Sequence, residues 1–216
     1  MIDNAELLRN IADALADLNA TDLRTQVTLA LSAGVPIRKL IQEGLGAGMR
    51  FVGERYERGE YFLSELIMAS LTMTETLELL TPERQAALEP IGSVVIGTVE
   101  GDLHDIGKNI VTSMLESAGF HVLDLGVDVA PARFVETVRT VAPDLLCLST
   151  LLSVTIPKVG ETIRALDAEG LRRGVKVLVG GRCLNRELAE TLGADAYGLD
   201  AWAAVKEAKR LLNNDQ

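Results

Sequence analysis

Apolar residues recur at helical spacing through roughly the first third of this chain, then give way to short apolar runs separated by helical stretches. Leu7, Leu8, Ile11, Leu15 and Leu18 mark one face of a first helix. Asn19-Ala20-Thr21-Asp22 suits the N-cap of a second helix that reaches Leu31. Gly34 is a stop signal, and Pro36 fits the first turn of a third helix running to about Arg58. After Gly59 a fourth helix follows Phe62, with Leu66, Met68, Leu71, Met73 and Leu77 as its apolar positions. Four helices on short loops predict a small bundle within residues 1–89. The polar, proline-bounded stretch 81–90 reads as a linker.

Beyond the linker the period changes. Apolar runs at 94–99, 122–125, 145–148 and 175–179, with a weaker one at 194–197, have the length of buried strands. Helical stretches start near Gly107, Pro131, Ile156 and Leu184, and a last one spans 201–212. Five strands alternating with helices predict an α/β domain over 90–216, a parallel sheet of flavodoxin-like or Rossmann-like order 2-1-3-4-5. In that order the first and third strands are neighbours. The loops at 101–107, at 149–155 and at Gly180-Gly181 then share the carboxyl edge, where such sheets bind ligands.

Composition narrows the classes. The 216 residues include 31 acids and 21 bases, a net charge of -10, which argues against broad contact with nucleic acid or an anionic membrane. Cys147 and Cys183 form no CxxC pattern, so neither a disulfide framework nor a zinc site is expected, and a reducing cytoplasm is the default. No signal peptide or transmembrane run is visible.

The loop Gly101-Asp102-Leu103-His104-Asp105-Ile106-Gly107 holds one of two histidines between carboxylates and glycines. An imidazole on a strand-to-helix loop, with an acid two residues before it, suits a metal ligand with an orienting partner. A lone loop histidine is ordinarily a surface group, and His121, at a strand start without such a setting, keeps that reading. A phosphate-binding loop is rejected: five residues separate Gly101 from Gly107 where four are needed, and Asn109 follows Lys108. A phosphorelay receiver is rejected because Ser149, not aspartate, ends the third strand. A hydrolytic metal site from Asp102, His104 and Asp105 stays open but is short of ligands. The Ser/Thr loop at 149–155 can cap the following helix, and Gly180-Gly181 can be a tight turn. Alternatively, the missing side chains there let a bulky group slide between strand and helix.

With these residues in view, the chain resembles the corrinoid proteins of methyltransferase systems that demethylate methylamines, methanol, methylthiols or aryl methyl ethers. It is similar also to the cobalamin module of methionine synthase. Three motifs carry the resemblance: Asp102-x-His104-x-x-Gly107, Ser149-x-Leu151 and Gly180-Gly181. Residues 59–67 resemble the cap segment that shields the upper corrin face, with Ser64 where relatives often have proline. The resemblance implies a helical cap domain before a cobalamin-binding domain. It implies cobalamin or a related corrinoid (methylcobalamin in the loaded form), bound base-off, with His104 as ligand to cobalt. Asp102 and Thr155 would form a relay behind the imidazole. Ser149 and Ser153 would touch the buried base, and the nucleotide tail would lie beside Gly180-Gly181. Leu103, Asp105, Ile106, Gly107, Leu151, Tyr197 and Gly198 would complete the corrinoid site, with Phe62 and Leu63 above it. No catalytic residue is assigned: the implied role is a methyl carrier, not an enzyme on its own. Its partners would be a substrate-specific methyltransferase, a second methyltransferase acting on a thiol or tetrahydrofolate, and a reductive activator of the corrinoid. The stretch 81–90 would serve as a hinge. Two rivals remain. A cobalamin-dependent sensor would normally carry an output domain, and a mutase subunit would need a substrate barrel. Neither is visible in this chain.

Overall fold

Helix α1 (Asn4–Ala16) starts where the Asp3 side chain accepts the Ala5 N–H at 3.3 Å, and it buries Leu7, Leu8, Ile11 and Leu15. Helix α2 (Ala20–Ser32) starts at the expected cap, Asn19, whose side chain accepts the Asp22 N–H at 3.1 Å. The third helix, α3, begins after Pro36 and runs through Ile37–Lys39, a π-helical turn at Leu40–Leu45, and Gly46–Glu57. The π turn was not foreseen, because an i→i+5 bond leaves no mark on the apolar period. Near that turn α3 crosses α1 closely: a β-carbon at Gly48 would stand 2.9 Å from the Ala12 carbonyl oxygen and 2.9 Å from the Leu15 Cβ. Helix α4 (Leu63–Glu78) opens with Glu65 accepting the Phe62 N–H at 2.8 Å. The loop before it is pinned by Arg55, which donates to the Ala16 carbonyl (2.7 Å), to Asp17 (2.8 Å) and to the Tyr61 hydroxyl (2.8 Å).

The computed structural model describes residues 3–78 and 90–213, and the chain divides into two compact units, Met1–Glu89 and Pro90–Gln216. The expected linker and hinge at 81–90 lie almost wholly outside the described residues.

The second unit is a five-stranded parallel sheet of order β2-β1-β3-β4-β5, the order expected. Its strands are β1 (Ser93–Thr98), β2 (His121–Asp124), β3 (Leu145–Ser149), β4 (Lys176–Gly180) and β5 (Ala196–Gly198). The connecting helices are α5 (Ile106–Ser117), α6 (Pro131–Val141), α7 (Ile156–Ala168) and α8 (Arg186–Leu192), with α9 (Ala201–Asn213) last. Strands β1, β3 and β4 read as apolar runs because both faces are covered, whereas the edge strand β2 is largely exposed. Val95, Leu146, Leu148, Val177 and Val179 pack with Phe134 and Val138 of α6, Val159, Ile163 and Leu166 of α7, and Ala189 of α8. The alternate positions, Val94, Ile96, Leu145, Cys147 and Leu178, are equally buried on the face covered by α5 and α9. Burial of that much aliphatic surface, about 25 cal/mol per Å² of apolar area, drives the fold. It leaves the carboxyl edge, between β1 and β3, as the switch point.

Candidate functional site

The loop from β1 to α5 is held open by its own backbone. Gly101 adopts φ +83° and donates its N–H to Asp128 at 2.7 Å, while the Thr98 hydroxyl donates to the His104 carbonyl at 3.0 Å. These bonds turn the Asp102 side chain inward and the His104 ring outward. Asp102 is wholly buried; the His104 side chain is 52% exposed.

Asp102 Oδ1 accepts the His104 backbone N–H at 3.0 Å and lies 2.7 Å from its Nδ1. The other oxygen, Oδ2, accepts the N–H of Leu151 at 2.6 Å and of Leu152 at 3.2 Å. The hydroxyls of Thr155 (3.3 Å) and Thr150 (3.4 Å) complete its surroundings. Burial is the largest influence on this carboxyl and pushes its pKa up. The hydrogen bonds from Leu151, His104 and Leu152 together outweigh burial and hold the pKa well below the usual carboxylate range. An ionised carboxylate only accepts, so the imidazole donates from Nδ1, and in the neutral ring the lone pair is then on Nε2.

Large apolar side chains are exposed along the same edge of the sheet. Leu103, Ile106, Val154 and Leu199 are 71, 76, 82 and 75% exposed, and all sit on connections at the carboxyl edge. Leu151 and Leu152 are partly exposed beside them. Such a group of uncovered aliphatics on a folded domain marks a ligand surface. Below it, Thr98, Ser149, Gly180 and Gly198 form one transverse row in register across β1, β3, β4 and β5. All four belong to the face covered by α5 and α9; a β-carbon at Gly198 would meet the Ala204 Cβ of α9 at 3.0 Å. The residues of the row are small; α9 closes on it at Gly198, and the space that remains, a shallow trough, lies at Gly180.

Gly180 and Gly181 do different things. A β-carbon at Gly180 would have one neighbour within 4 Å, the Gly198 carbonyl oxygen at 3.3 Å, and otherwise open space. At Gly181, with φ +136°, it would stand 1.7 Å from the Thr150 carbonyl oxygen. The expectation that both glycines make room for a bulky group therefore applies to Gly180 alone. Gly181 is required by the close approach of the β3 loop.

The other expected residues fall in several places. Asp105 is exposed at the start of α5, with its carboxyl accepting from the Asn109 amide at 3.2 Å. Gly107 lies in the first turn of α5 with nothing near its missing side chain. Ser153 is exposed at the head of the short 3-10 turn before α7. Tyr197 packs against the core of the α6–α8 face, opposite the row that contains Gly198, so the structure does not join it to the trough. Phe62 and Leu63 are exposed at the start of α4, in the helical unit. Two residues went unread in the sequence. Thr150, fully buried, touches both Asp102 and Thr155. Lys108, buried, pairs with Asp124 and donates to Asn109 at 2.7 Å, anchoring the end of the His104 loop. Nothing in the local pattern separates either from an ordinary surface residue.

Among the described residues no group of three or more His, Cys, Asp or Glu side chains could hold a metal ion, so the hydrolytic site lacks its ligands. A metal at His104 would have to arrive with most of its ligands supplied. The residues present fit a bulky, partly apolar metal-containing cofactor, which His104 would hold through one bond to the metal. They offer an oriented imidazole, exposed aliphatic side chains along the same edge, and space at Gly180 for an appended group.

Comparison with known proteins gives the following. A family model described as a B12 binding domain matches residues 92–206, and a second of the same description matches residues 7–81. Dimethylamine corrinoid protein 2 of Methanosarcina acetivorans is 41% identical over 214 residues, covering 98% of this chain and 99% of that protein. The trimethylamine corrinoid protein of Methanosarcina barkeri is 38% identical over 216 residues, covering 99% of this chain and 100% of that protein. Among solved structures, a cobalamin-binding protein from Desulfitobacterium hafniense superposes with a TM-score of 0.84 at 37% identity, covering 98% of this chain and 99% of that one. The methanol:cobalamin methyltransferase complex MtaBC from Methanosarcina barkeri includes a chain with a TM-score of 0.82 at 31% identity, covering 96% of this chain and 80% of that one.

Proposed function

This chain belongs to the family of B12-binding corrinoid proteins, and from that premise we propose that it carries methyl groups on a corrinoid that His104 would hold through a bond to cobalt. The observation that carries the reading is the pair at the carboxyl edge: a buried, ionised Asp102 holding the Nδ1 side of a half-exposed imidazole.

When bound, the corrinoid supplies a cobalt that accepts a methyl group from one partner and yields it to another. The chain's own residues do the rest. His104 offers Nε2, and Asp102 fixes the ring and raises its basicity by accepting the Nδ1 proton. The N–H groups of Leu151 and Leu152 keep Asp102 ionised and in place, with the Thr155 hydroxyl beside them in the relay. Leu103, Ile106, Leu151, Val154 and Leu199 exclude water from the lower face. Asp105 and Gly107 shape the loop that presents the ring. Ser149, Ser153 and the space at Gly180 would receive the nucleotide tail, with Gly198 beneath α9 beside it. Phe62 and Leu63, exposed at the start of α4, are the cap residues that the family resemblance implies.

The partners are a substrate-specific methyltransferase, a second methyltransferase acting on a thiol or tetrahydrofolate, and a reductive activator. The amine and methanol systems named among the relatives support the first of these. No helix among the described residues is long and apolar enough to cross a membrane, and a cytoplasmic setting fits two free thiols.

The test is the cobalt spectrum of the reconstituted protein. The parent should show base-off, His-on cobalt with hyperfine coupling to a histidine nitrogen. His104→Ala should lose that coupling while still taking up corrinoid. Identical spectra and couplings in the two proteins would refute the ligand assignment.

A further inference from the structure

We propose that Thr150 is a positioning residue for the His104 ring, acting through the order of protons in a two-hydroxyl pair beside Asp102. The inference rests on the reading of His104 as the cobalt ligand and adds a component to it.

The geometry is specific. Thr150 and Thr155 place their hydroxyl oxygens 2.7 Å apart, so one must donate to the other. Thr155 has two further acceptors in reach, the Leu152 carbonyl at 2.9 Å and Asp102 Oδ2 at 3.3 Å. Thr150 reaches the same two at 3.5 and 3.4 Å. Each hydroxyl has a single proton. In one order Thr155 donates to Thr150, and Thr150 donates to Asp102. In the other Thr150 donates to Thr155, whose own proton goes to the nearer Leu152 carbonyl. Asp102 receives a hydroxyl hydrogen bond in the first order and none in the second. Only rotation about the C–O bonds separates the two, and no proton leaves its oxygen.

The pair is closed from solvent. Thr150 is 0% exposed, Thr155 is 5% exposed, and Gly181 lies against the Thr150 carbonyl with no room for a side chain. Cys183 donates its thiol to the same carbonyl at 3.4 Å, fixing the loop from the β4 side. A hydroxyl donor on Oδ2 draws negative charge from the oxygen that accepts the His104 Nδ1–H. The first order therefore loosens the grip of Asp102 on the ring, and the second tightens it.

Substitutions should act with opposite sign. Thr150→Ala leaves the Thr155 proton to the Leu152 carbonyl, the nearer acceptor, so Asp102 loses its hydroxyl donor. Thr155→Ala leaves Thr150 with Asp102 as its nearer acceptor, so Asp102 keeps one. The double variant should resemble Thr150→Ala, and Thr150→Ser should resemble the parent.

The experiment uses the full chain labelled with 15N-histidine. In the corrinoid-free protein, the His104 Nδ1–H proton resonance should move downfield in Thr150→Ala and upfield in Thr155→Ala. In the reconstituted protein, the ratio of His-on to His-off cobalt should rise in the first and fall in the second, each by about fivefold, a fraction of the hydrogen bond to a charged group that Asp102 loses or keeps. Shifts of the same sign in both variants, or a Thr150→Ala protein with the parent's resonance and ratio, would overturn the proposal. The two readings fail separately. If His104 is not the ligand, the cobalt ratio stays flat while the opposite resonance shifts of the corrinoid-free protein persist.

Discussion

Gly180 and Gly181 are adjacent, yet replacing each with alanine should break a different property. At Gly181 the new methyl would stand 1.7 Å from the Thr150 carbonyl oxygen and 2.8 Å from its carbon. That carbonyl cannot retreat freely. The Thr150 N–H donates to the Gly180 carbonyl at 3.1 Å, and the next two residues hold Asp102. A side chain at φ +136° adds backbone strain of about 1–3 kcal/mol. Overpacking against a fixed neighbour adds about 1–3 kcal/mol more. The sum, about 2–6 kcal/mol, is a large part of the roughly 5–15 kcal/mol that holds a typical domain folded. At Gly180 the methyl would meet only the Gly198 carbonyl at 3.3 Å, which a shift of a few tenths of an ångström relieves. Its stability should stay within about 1 kcal/mol of the parent, but the methyl would stand in the trough. The assay is urea unfolding followed by tryptophan fluorescence, because the single tryptophan, Trp202, lies on α9 in the α/β unit. With an m-value of about 2 kcal/mol per molar, Gly181→Ala should lower the midpoint by roughly 1–3 M. Gly180→Ala should leave the midpoint nearly unchanged and weaken corrinoid binding by roughly tenfold to a hundredfold. A Gly181→Ala protein with the parent's midpoint would show that the Thr150 loop yields easily. A Gly180→Ala protein with the parent's affinity would remove the trough from the site.

Asp102→Asn should keep the fold and change the cobalt. Loss of a charged partner behind a ligating histidine costs about 10–100-fold at metal sites, so the His-on fraction should fall, and an unchanged cobalt spectrum would reduce Asp102 to a loop-shaping residue. Removing residues 1–89 should leave an α/β unit that folds and binds corrinoid but whose methylated cofactor is more sensitive to light, and Phe62→Ala should show a milder form. Equal photolysis rates in all three proteins would mean that the helical unit is not a cap. Arg55→Ala should destabilise the helical unit by about 1–3 kcal/mol through the lost bonds to the Ala16 carbonyl and Tyr61, since the Asp17 partner is largely exposed and adds little. Calorimetry of residues 1–89 checks it, and an unchanged melting temperature would show the latch to be idle.

How much of this was legible in the sequence depends on the distance over which each feature is encoded. Strands covered on both faces must be apolar at consecutive positions, so 94–99, 145–148 and 175–179 stood out, and alternation with helices implied the parallel sheet. The weak run at 194–197 proved to belong to a three-residue strand, Ala196–Gly198, stabilised by its place beside β4 rather than by its own composition. The pair Asp102 and His104 was readable because its hydrogen bond spans two residues and is made within one loop. The bonds that define Asp102's other oxygen come from residues 48 to 53 positions away. They exist only because β1 and β3 pair in register and bring two loops to one edge. The same pairing put Thr150 against Gly181, which turned an apparent vacancy into a filled contact, and it lined up Thr98, Ser149, Gly180 and Gly198 as a row. Local chemistry along the chain determined the elements and the presence of a ligand-bearing loop. The tertiary fold alone decided which groups hold Asp102 ionised and where space remains, because hydrogen bonds and steric exclusion act over a few ångströms and are indifferent to separation in sequence.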